Sequence, residues 1–252
     1  MKIDHLTPED WAHHDPSGFQ RFCRVLVARP GRMIYRYRGY GHWPRVPEEG
    51  GFLLAPGPHG AYMDPFIFGL GQPRTRLRFM AKADALGWPI AGRFVRWGGG
   101  FPVLRGGGRS ASALAVARTV VESGDGLVLF MEGRMSLDHD GLATPRDGLA
   151  ILALLTGAPV VPVAAYGAKR ASAYGRRWWQ HRPKVTAVWG EPISFAREEQ
   201  PSGERVAEVR DAIWGEVTRC FEQARVIHHR PGGRPPIGAS LEDALRVSEV
   251  ER

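Results

Sequence analysis

Gly51-Phe52-Leu53-Leu54-Ala55-Pro56-Gly57-Pro58-His59-Gly60-Ala61-Tyr62-Met63-Asp64-Pro65 is the stretch on which the reading of the fold turns. Phe52 to Ala55 is a short apolar run bounded by glycines and proline, the pattern of a buried strand. At the other end Asp64 precedes Pro65, then Phe66, Ile67 and Leu70. This order predicts a helix with Asp64 as N-cap and Pro65 as its first residue. His59 lies between them in a turn rich in proline and glycine. On one continuous helix a pair five positions apart points about 140° apart, from 3.6 residues per turn. The turn is what lets His59 and Asp64 meet. A carboxylate beside an imidazole fixes its tautomer and supports the charge it gains as a base. A surface turn histidine beside a capping aspartate has the same sequence, so the rest of the chain has to decide.

Outward from this stretch the chain alternates. The pattern Met33–Arg38 predicts a strand, as do Leu77, Phe79 and Met80 after the helix that opens at Pro65. A helical stretch over 84–95 runs into Gly98-Gly99-Gly100-Phe101-Pro102-Val103-Leu104-Arg105. Residues 109–123 are helical in pattern, and Leu127-Val128-Leu129-Phe130-Met131 is a continuous apolar strand feeding Glu132-Gly133-Arg134. Helix 146–156 and strand 159–165 follow, separated by Gly157-Ala158-Pro159, which breaks a run long enough to resemble a membrane span. Val185, Ala187 and Trp189 alternate as a late strand. Val206, Val209, Ile213, Val217, Cys220 and Phe221 mark one face of a long closing helix. Such alternation argues for a single α/β domain with a mainly parallel central sheet flanked by helices, whose sites collect at the carboxyl ends of the strands. The expected division is an N-terminal arm and basic amphipathic helix over 1–32, the domain over 33–227, and a loose tail over 228–252, apart from a short helix near 241–250.

The chain has 252 residues, 43% of them hydrophobic, enough for one domain with a substantial core. Cys23 and Cys220 form no disulfide framework, and Met1 to Gln20 lacks the pattern of a signal peptide, so a reducing, cytoplasmic setting is expected. The net charge of +8 and a pI near 10.0 call for an anionic partner surface. Arg21, Arg24, Arg29, Arg32, Arg36 and Arg38 fall in a stretch free of acidic residues. A second block, Lys169, Arg170, Arg176, Arg177, Arg182 and Lys184, contains Trp178 and Trp179. Either block suits an anionic membrane face or nucleic acid, and either is also what a solvated basic face looks like. His13, His14, His228 and His229 read as loose-end residues, so no metal site is expected.

Three clusters join the His59–Asp64 turn at strand ends: Lys82 with Gly98–Arg105, Glu132-Gly133-Arg134, and Val160-Val161-Pro162-Val163. In order and spacing the four blocks resemble the glycerolipid acyltransferase family, typified by 1-acylglycerol-3-phosphate O-acyltransferases. That family carries Asn-His-x-Ser-x-x-Asp, a glycine-rich segment ending in an apolar pair and Arg, Phe-Pro-Glu-Gly-Thr-Arg-Ser, and an apolar strand with a central Pro. Here these are Pro58–Asp64, Gly100–Arg105, Phe130–Ser136 and Val160–Val163, with Pro58 and Ala61 replacing the first block's Asn and Ser. The resemblance covers roughly 33–195.

The resemblance implies a glycerol-3-phosphate acyltransferase-like fold docked peripherally on the inner face of a membrane. It implies His59 as the base that deprotonates an acceptor hydroxyl during attack on an acyl thioester, with Asp64 orienting it. Lys82, Arg105 and Arg134 are then acceptor-phosphate ligands, with Glu132 orienting those cations and Gly133 in the same block. Backbone N–H groups of Gly98, Gly99 and Gly100 are candidates for the oxyanion. The implied co-substrate is acyl-CoA or acyl-carrier protein, with no cofactor, and the acceptor a lysophospholipid, 1-acyl-glycerol-3-phosphate first. Nucleic acid is not expected as a partner. A nucleic-acid module, a non-catalytic membrane-surface protein and an acyltransferase with another lipid or glycolipid acceptor are the other readings.

Overall fold

A computed structural model describes residues 15–41, 46–60, 64, 68–69, 76–82, 89, 91–103, 109–135, 141–168 and 184–246. A helical run opens it: α1 (Ser17–Cys23), a π-turn segment (Arg24–Ala28) and α2 (Arg29–Ile34). There follow β1 (Arg38–Gly41), β2 (Phe52–Gly57), β3 (Leu77–Lys82), α3 (Ala91–Trp97), β4 (Gly100–Val103), α4 (Arg109–Glu122) and β5 (Gly126–Val128). The chain closes with α5 (Gly148–Thr156), β6 (Val160–Tyr166), β7 (Thr186–Trp189), α6 (Gly203–His228) and α7 (Leu241–Leu245).

The strands form one sheet of seven in the order β1-β7-β6-β2-β5-β3-β4. Every neighbouring pair is parallel except β6 with β7, which are antiparallel. The fold is therefore α/β with a mainly parallel sheet. Successive residues of β2 serve opposite faces, as strand geometry requires. Leu53 and Ala55 join a core with α4, α5 and α6, while Phe52 and Leu54 join one containing Tyr35, Tyr37, Phe68 and Trp189. Central strands covered on both sides have no solvent face, so β2 and β6 are buried along their whole length.

Close backbone approach fixes several junctions. A Cβ at Gly57 would stand 2.9 Å from Val217 Cγ1 of α6, so α6 lies directly against the end of β2. Ser202 caps α6, its hydroxyl accepting from the Arg205 N–H at 3.1 Å. Gln20 ties α1 to the sheet: its amide donates to the carbonyls of Leu77 and Gly98, and its carbonyl accepts from Leu77 N–H.

Three expectations shift. Met33 and Ile34 end a helix rather than begin a strand. The Tyr35 N–H closes on Gly31 O at 2.9 Å, and Arg36 turns the chain at φ +41, so β1 starts at Arg38. The strand expected over 127–131 ends at Val128, because Phe130–Gly133 forms a turn closed by Gly133 N–H to Phe130 O at 3.1 Å. The tail is not loose where it is described. α6 runs to His228, and the strap after it crosses β1: Arg38 donates to the carbonyls of Arg234 and Pro235, and Tyr40 OH donates to Pro235 O.

Candidate active site

Strands β2, β3, β4, β5 and β6 all end at one edge of the sheet, and the site is built there. Past Gly57 the chain passes through Pro58, by a cis peptide bond, to His59. Asp64 is fully buried and helical, where a capping residue ahead of the helix was expected; Pro65–Ile67 lie outside the described residues. Its Oδ2 stands 3.1 Å from His59 Nδ1 and also accepts the Gly60 N–H at 2.6 Å. With a carboxylate on Nδ1, that nitrogen is the donor, and Nε2 keeps its lone pair. The imidazole side chain is 22% exposed against 0% for Asp64. The imidazole is reachable while its partner is sealed from water.

Two further groups hold this turn, both from the loop after β5. Glu132, buried, accepts the His59 backbone N–H on Oε1 at 3.0 Å. Phe130 stacks on the imidazole with ring centroids 4.1 Å apart and planes 22° apart, and Phe68 meets Phe130 edge-on. The ring is thus oriented by a carboxylate at one nitrogen and an aromatic plane on one face. Glu132, expected to orient cations, fastens the turn that carries His59, and that contact depends on strand register that no short motif reveals. Phe130 was expected within a strand at the head of the third block, with no contact to His59.

Gly133 sits at φ +66, and a Cβ there would lie 2.6 Å from Arg146 Cδ. The glycine therefore lets Arg146 cross the Glu132 turn. Arg146 is exposed and was not anticipated, because it lies beyond the motif at the start of the helix expected over 146–156, ahead of α5. Arg134 is exposed beside it. Lys82 ends β3 at the same edge as His59; register sets it level with Val103 of β4. Arg105 lies outside the described residues.

The oxyanion expectation is corrected. Gly100 pairs with Phe79, which is level with Val128 and so with Leu54. His59 is five residues beyond Leu54, about 16 Å along the strand direction, and β2 and β4 are three strands apart. Gly98 to Gly100 stand where β4 starts, away from the edge where His59 lies, and they serve a turn. Gly99 has φ +98, and a Cβ on it would sit 2.2 Å from Leu77 O. At the site itself the N–H groups of His59, Gly60 and Gly133 are each engaged within the protein.

Among the described residues no group of His, Cys, Asp or Glu is arranged to hold a metal, and no helix is long and apolar enough to cross a membrane. Residues 42–166 match the family described as Acyltransferase. A 1-acyl-sn-glycerol-3-phosphate acyltransferase of Streptococcus pneumoniae is 24% identical over 216 residues, 84% of this chain and 76% of that one. An enzyme of the same name from Bacillus subtilis is 24% identical over 77% of this chain and 92% of its own. A lyso-ornithine lipid O-acyltransferase of Pseudomonas aeruginosa is 30% identical over 58% of this chain and 53% of its own. The crystal structure of the 1-acyl-sn-glycerophosphate acyltransferase of Thermotoga maritima shares the fold, with TM-score 0.54 at 22% identity over 80% of this chain and 87% of that one.

Proposed function

Because this chain belongs to the acyltransferase family, whose domain spans residues 42–166, we propose that it moves an acyl chain from an acyl thioester to a lysophospholipid hydroxyl, with 1-acyl-glycerol-3-phosphate as the first acceptor to test. The observation that carries this reading is the His59–Asp64 contact of 3.1 Å at the carboxyl edge of the sheet, with the imidazole stacked on Phe130 and the His59 backbone N–H held by Glu132. Nε2 of His59 takes the acceptor's hydroxyl proton while that oxygen attacks the thioester carbon. The tetrahedral intermediate collapses, the C–S bond breaks, and the thiolate recovers the proton from the imidazolium. Atoms and charge balance, and the free thiol leaves. Asp64 stabilises the imidazolium, which is the charge that develops on the enzyme. Arg134 and Arg146, exposed beside Glu132, are cations available to an acceptor phosphate.

A second acceptor is favoured by one finding: the relative that is 30% identical is named for lyso-ornithine lipid. Full-length protein incubated with labelled palmitoyl-CoA or palmitoyl-carrier protein should label one of three acceptors: 1-acyl-glycerol-3-phosphate, another lysophospholipid or lyso-ornithine lipid. Label on the first supports the primary reading and label on the last the second. No label on any acceptor from either donor refutes both. Docking on an anionic membrane face belongs to the same proposal. Phe22, Val25 and Leu26 of the opening helical run are exposed, as are Phe94 and Trp97, whose rings pack with Phe19. Such a patch suits the headgroup boundary.

A further inference from the structure

At the carboxyl edge of the sheet, away from His59, four cations crowd together. Lys184 donates from Nζ to His228 O at 2.9 Å. Arg234 donates to Val185 O at 2.6 Å, to Thr186 Oγ1 at 3.2 Å and to Arg36 O at 2.6 Å. Arg38 donates to the carbonyls of Arg234 and Pro235. Every partner of these side chains is a carbonyl or a hydroxyl; among the described residues none is a carboxylate. Elsewhere in the chain arginines routinely find acids, as Arg118, Arg197 and Arg205 do. Here like charges are held side by side by backbone groups, and no carboxylate among the described residues relieves the repulsion. Burial pushes Arg234 down to about 10, with Arg38 and Arg36 adding to the effect. Lys184 is lowered by burial first and then by Arg234, Arg36 and Arg38. An assembly that strains its own positive charge in this way is suited to an anion.

The register says which anion. Arg38 pairs with Thr186, Thr186 with Tyr166, and Gly57 with Ala164 two residues before Tyr166. His59, two residues past Gly57, is therefore level with Arg38, and β1 lies three strand spacings from β2. At about 4.8 Å per spacing the cluster is roughly 14 Å from the catalytic histidine along the same edge. The phosphate of a glycerol-phosphate acceptor lies only about 5 Å from the oxygen that attacks, four covalent bonds away, too near to reach this cluster. A pantetheine arm is different: its thioester sulfur and its phosphate are thirteen bonds apart, about 15 Å when extended. The path between crosses the end of β6 at Gly167, against which the Lys184 carbonyl and the His228 ring pack.

We propose that Arg36, Arg38, Lys184 and Arg234 form the binding site for the phosphate ester at the end of the acyl donor's pantetheine arm, a group that coenzyme A and carrier proteins share. The proposal rests on the acyl-thioester reading of His59. It assigns the cations beside Glu132 to the acceptor and this second cluster to the donor, so the two substrates approach His59 from different sides.

Binding of two unreactive donor analogues to the full chain tests it without turnover. One is an S-alkyl thioether of phosphopantetheine, and the other the same thioether of pantetheine, lacking the phosphate. The native protein should bind the first about 10- to 100-fold more tightly, the scale of charge-assisted hydrogen bonds. Arg36→Gln with Lys184→Gln should bring that ratio close to one, and inorganic phosphate should compete with the first analogue alone. Arg36→Lys with Lys184→Arg keeps both charges and should keep the ratio. Arg36→Gln alone changes an exposed side chain and serves if the double variant fails to fold. Equal binding of both analogues by the native protein overturns the proposal. So does a full ratio in the Gln variants, or its collapse in the charge-retaining pair. Loss of binding to phosphatidylglycerol vesicles with the ratio intact also overturns it, by making the cluster a lipid-headgroup site. A chain that discriminates between the analogues yet acylates no acceptor keeps this donor site and loses the transferase reading. One that acylates acceptors without discriminating does the reverse.

Discussion

His59→Ala should lower acyl transfer on the order of 10²–10⁴-fold, the usual contribution of a positioned general base. The fold should survive at a cost of about 2–4 kcal/mol, since the stacking contact with Phe130 and the hydrogen bond from Nδ1 to buried Asp64 are both lost while Asp64 keeps the Gly60 N–H. Steady-state kcat together with a urea melt reads both quantities, and full activity in a folded His59→Ala protein would remove the histidine from the mechanism. Glu132 separates orientation from charge. Glu132→Gln keeps a carbonyl oxygen to accept the His59 N–H, whereas Glu132→Ala leaves that N–H without its acceptor. The Ala variant should therefore lose at least about 10-fold more kcat than the Gln variant, the worth of a hydrogen bond plus the misplacement of a catalytic group. Equal losses in the two would mean that the negative charge, not the hydrogen bond, is what Glu132 supplies. The pair His59 and Asp64 was legible in the sequence because a proline- and glycine-rich turn between an apolar strand and a helix leaves few other geometries. Glu132 as the anchor of His59 was not, because that contact spans 73 positions and exists only through the pairing of β2 with β5.

Among the elements, the turn between α3 and β4 is where sequence and structure part. A run of three glycines before an apolar pair and an arginine reads as a backbone cradle for an oxyanion. Whether it can act as one depends on which end of β4 it occupies. In a parallel sheet the loop before a strand lies at the far edge from the loops after its neighbours, so residues 98–100 are remote from His59. Their glycines answer instead to φ +98 at Gly99 and to the Leu77 carbonyl against it. Gly99→Ala should then destabilise the protein by about 1–3 kcal/mol, the cost of a strained non-glycine backbone, while kcat per folded molecule is retained. Denaturant titration and active-site-normalised kinetics give the two numbers. A fall in kcat with stability intact would return the segment to the catalytic site. Most elements were legible from period alone: α4, α5, β6 and β7 fall within two or three residues of expectation, and α6, found by its apolar face over 206–221, runs on to His228. The misplaced β1 shows the opposite case. Ile34, Tyr35 and Arg36 alternate as a strand would, but the helix ahead of them closes on Gly31 and Arg32 before the strand can begin.

For the whole molecule the question is what its charge of +8 meets. Periodicity showed that the opening helix has an apolar side but could not say whether that side faces the domain or the solvent. The structure divides it: Ala28 is buried, while Phe22, Val25 and Leu26 are more than half exposed. Trp178 and Trp179, the other expected docking residues, lie outside the described residues. An exposed apolar side set among arginines gives two additive contributions to a lipid surface. Each basic residue near anionic headgroups contributes about 1 kcal/mol, and each large apolar side chain that leaves water contributes about 1.5–3 kcal/mol when fully buried. Salt screens the first and leaves the second, so raised ionic strength should loosen the protein from phosphatidylglycerol vesicles without releasing all of it. Phe22→Ser with Leu26→Ser should remove the remainder, lowering vesicle partitioning by about 10²-fold on those side-chain values. The melting temperature should barely move, because both residues are already in water in the free protein. Sedimentation with vesicles at low and high salt, beside a thermal melt, separates the contributions. Partitioning unaltered in the folded double variant would show that this helix does not dock, and that the basic surface binds lipid by charge alone.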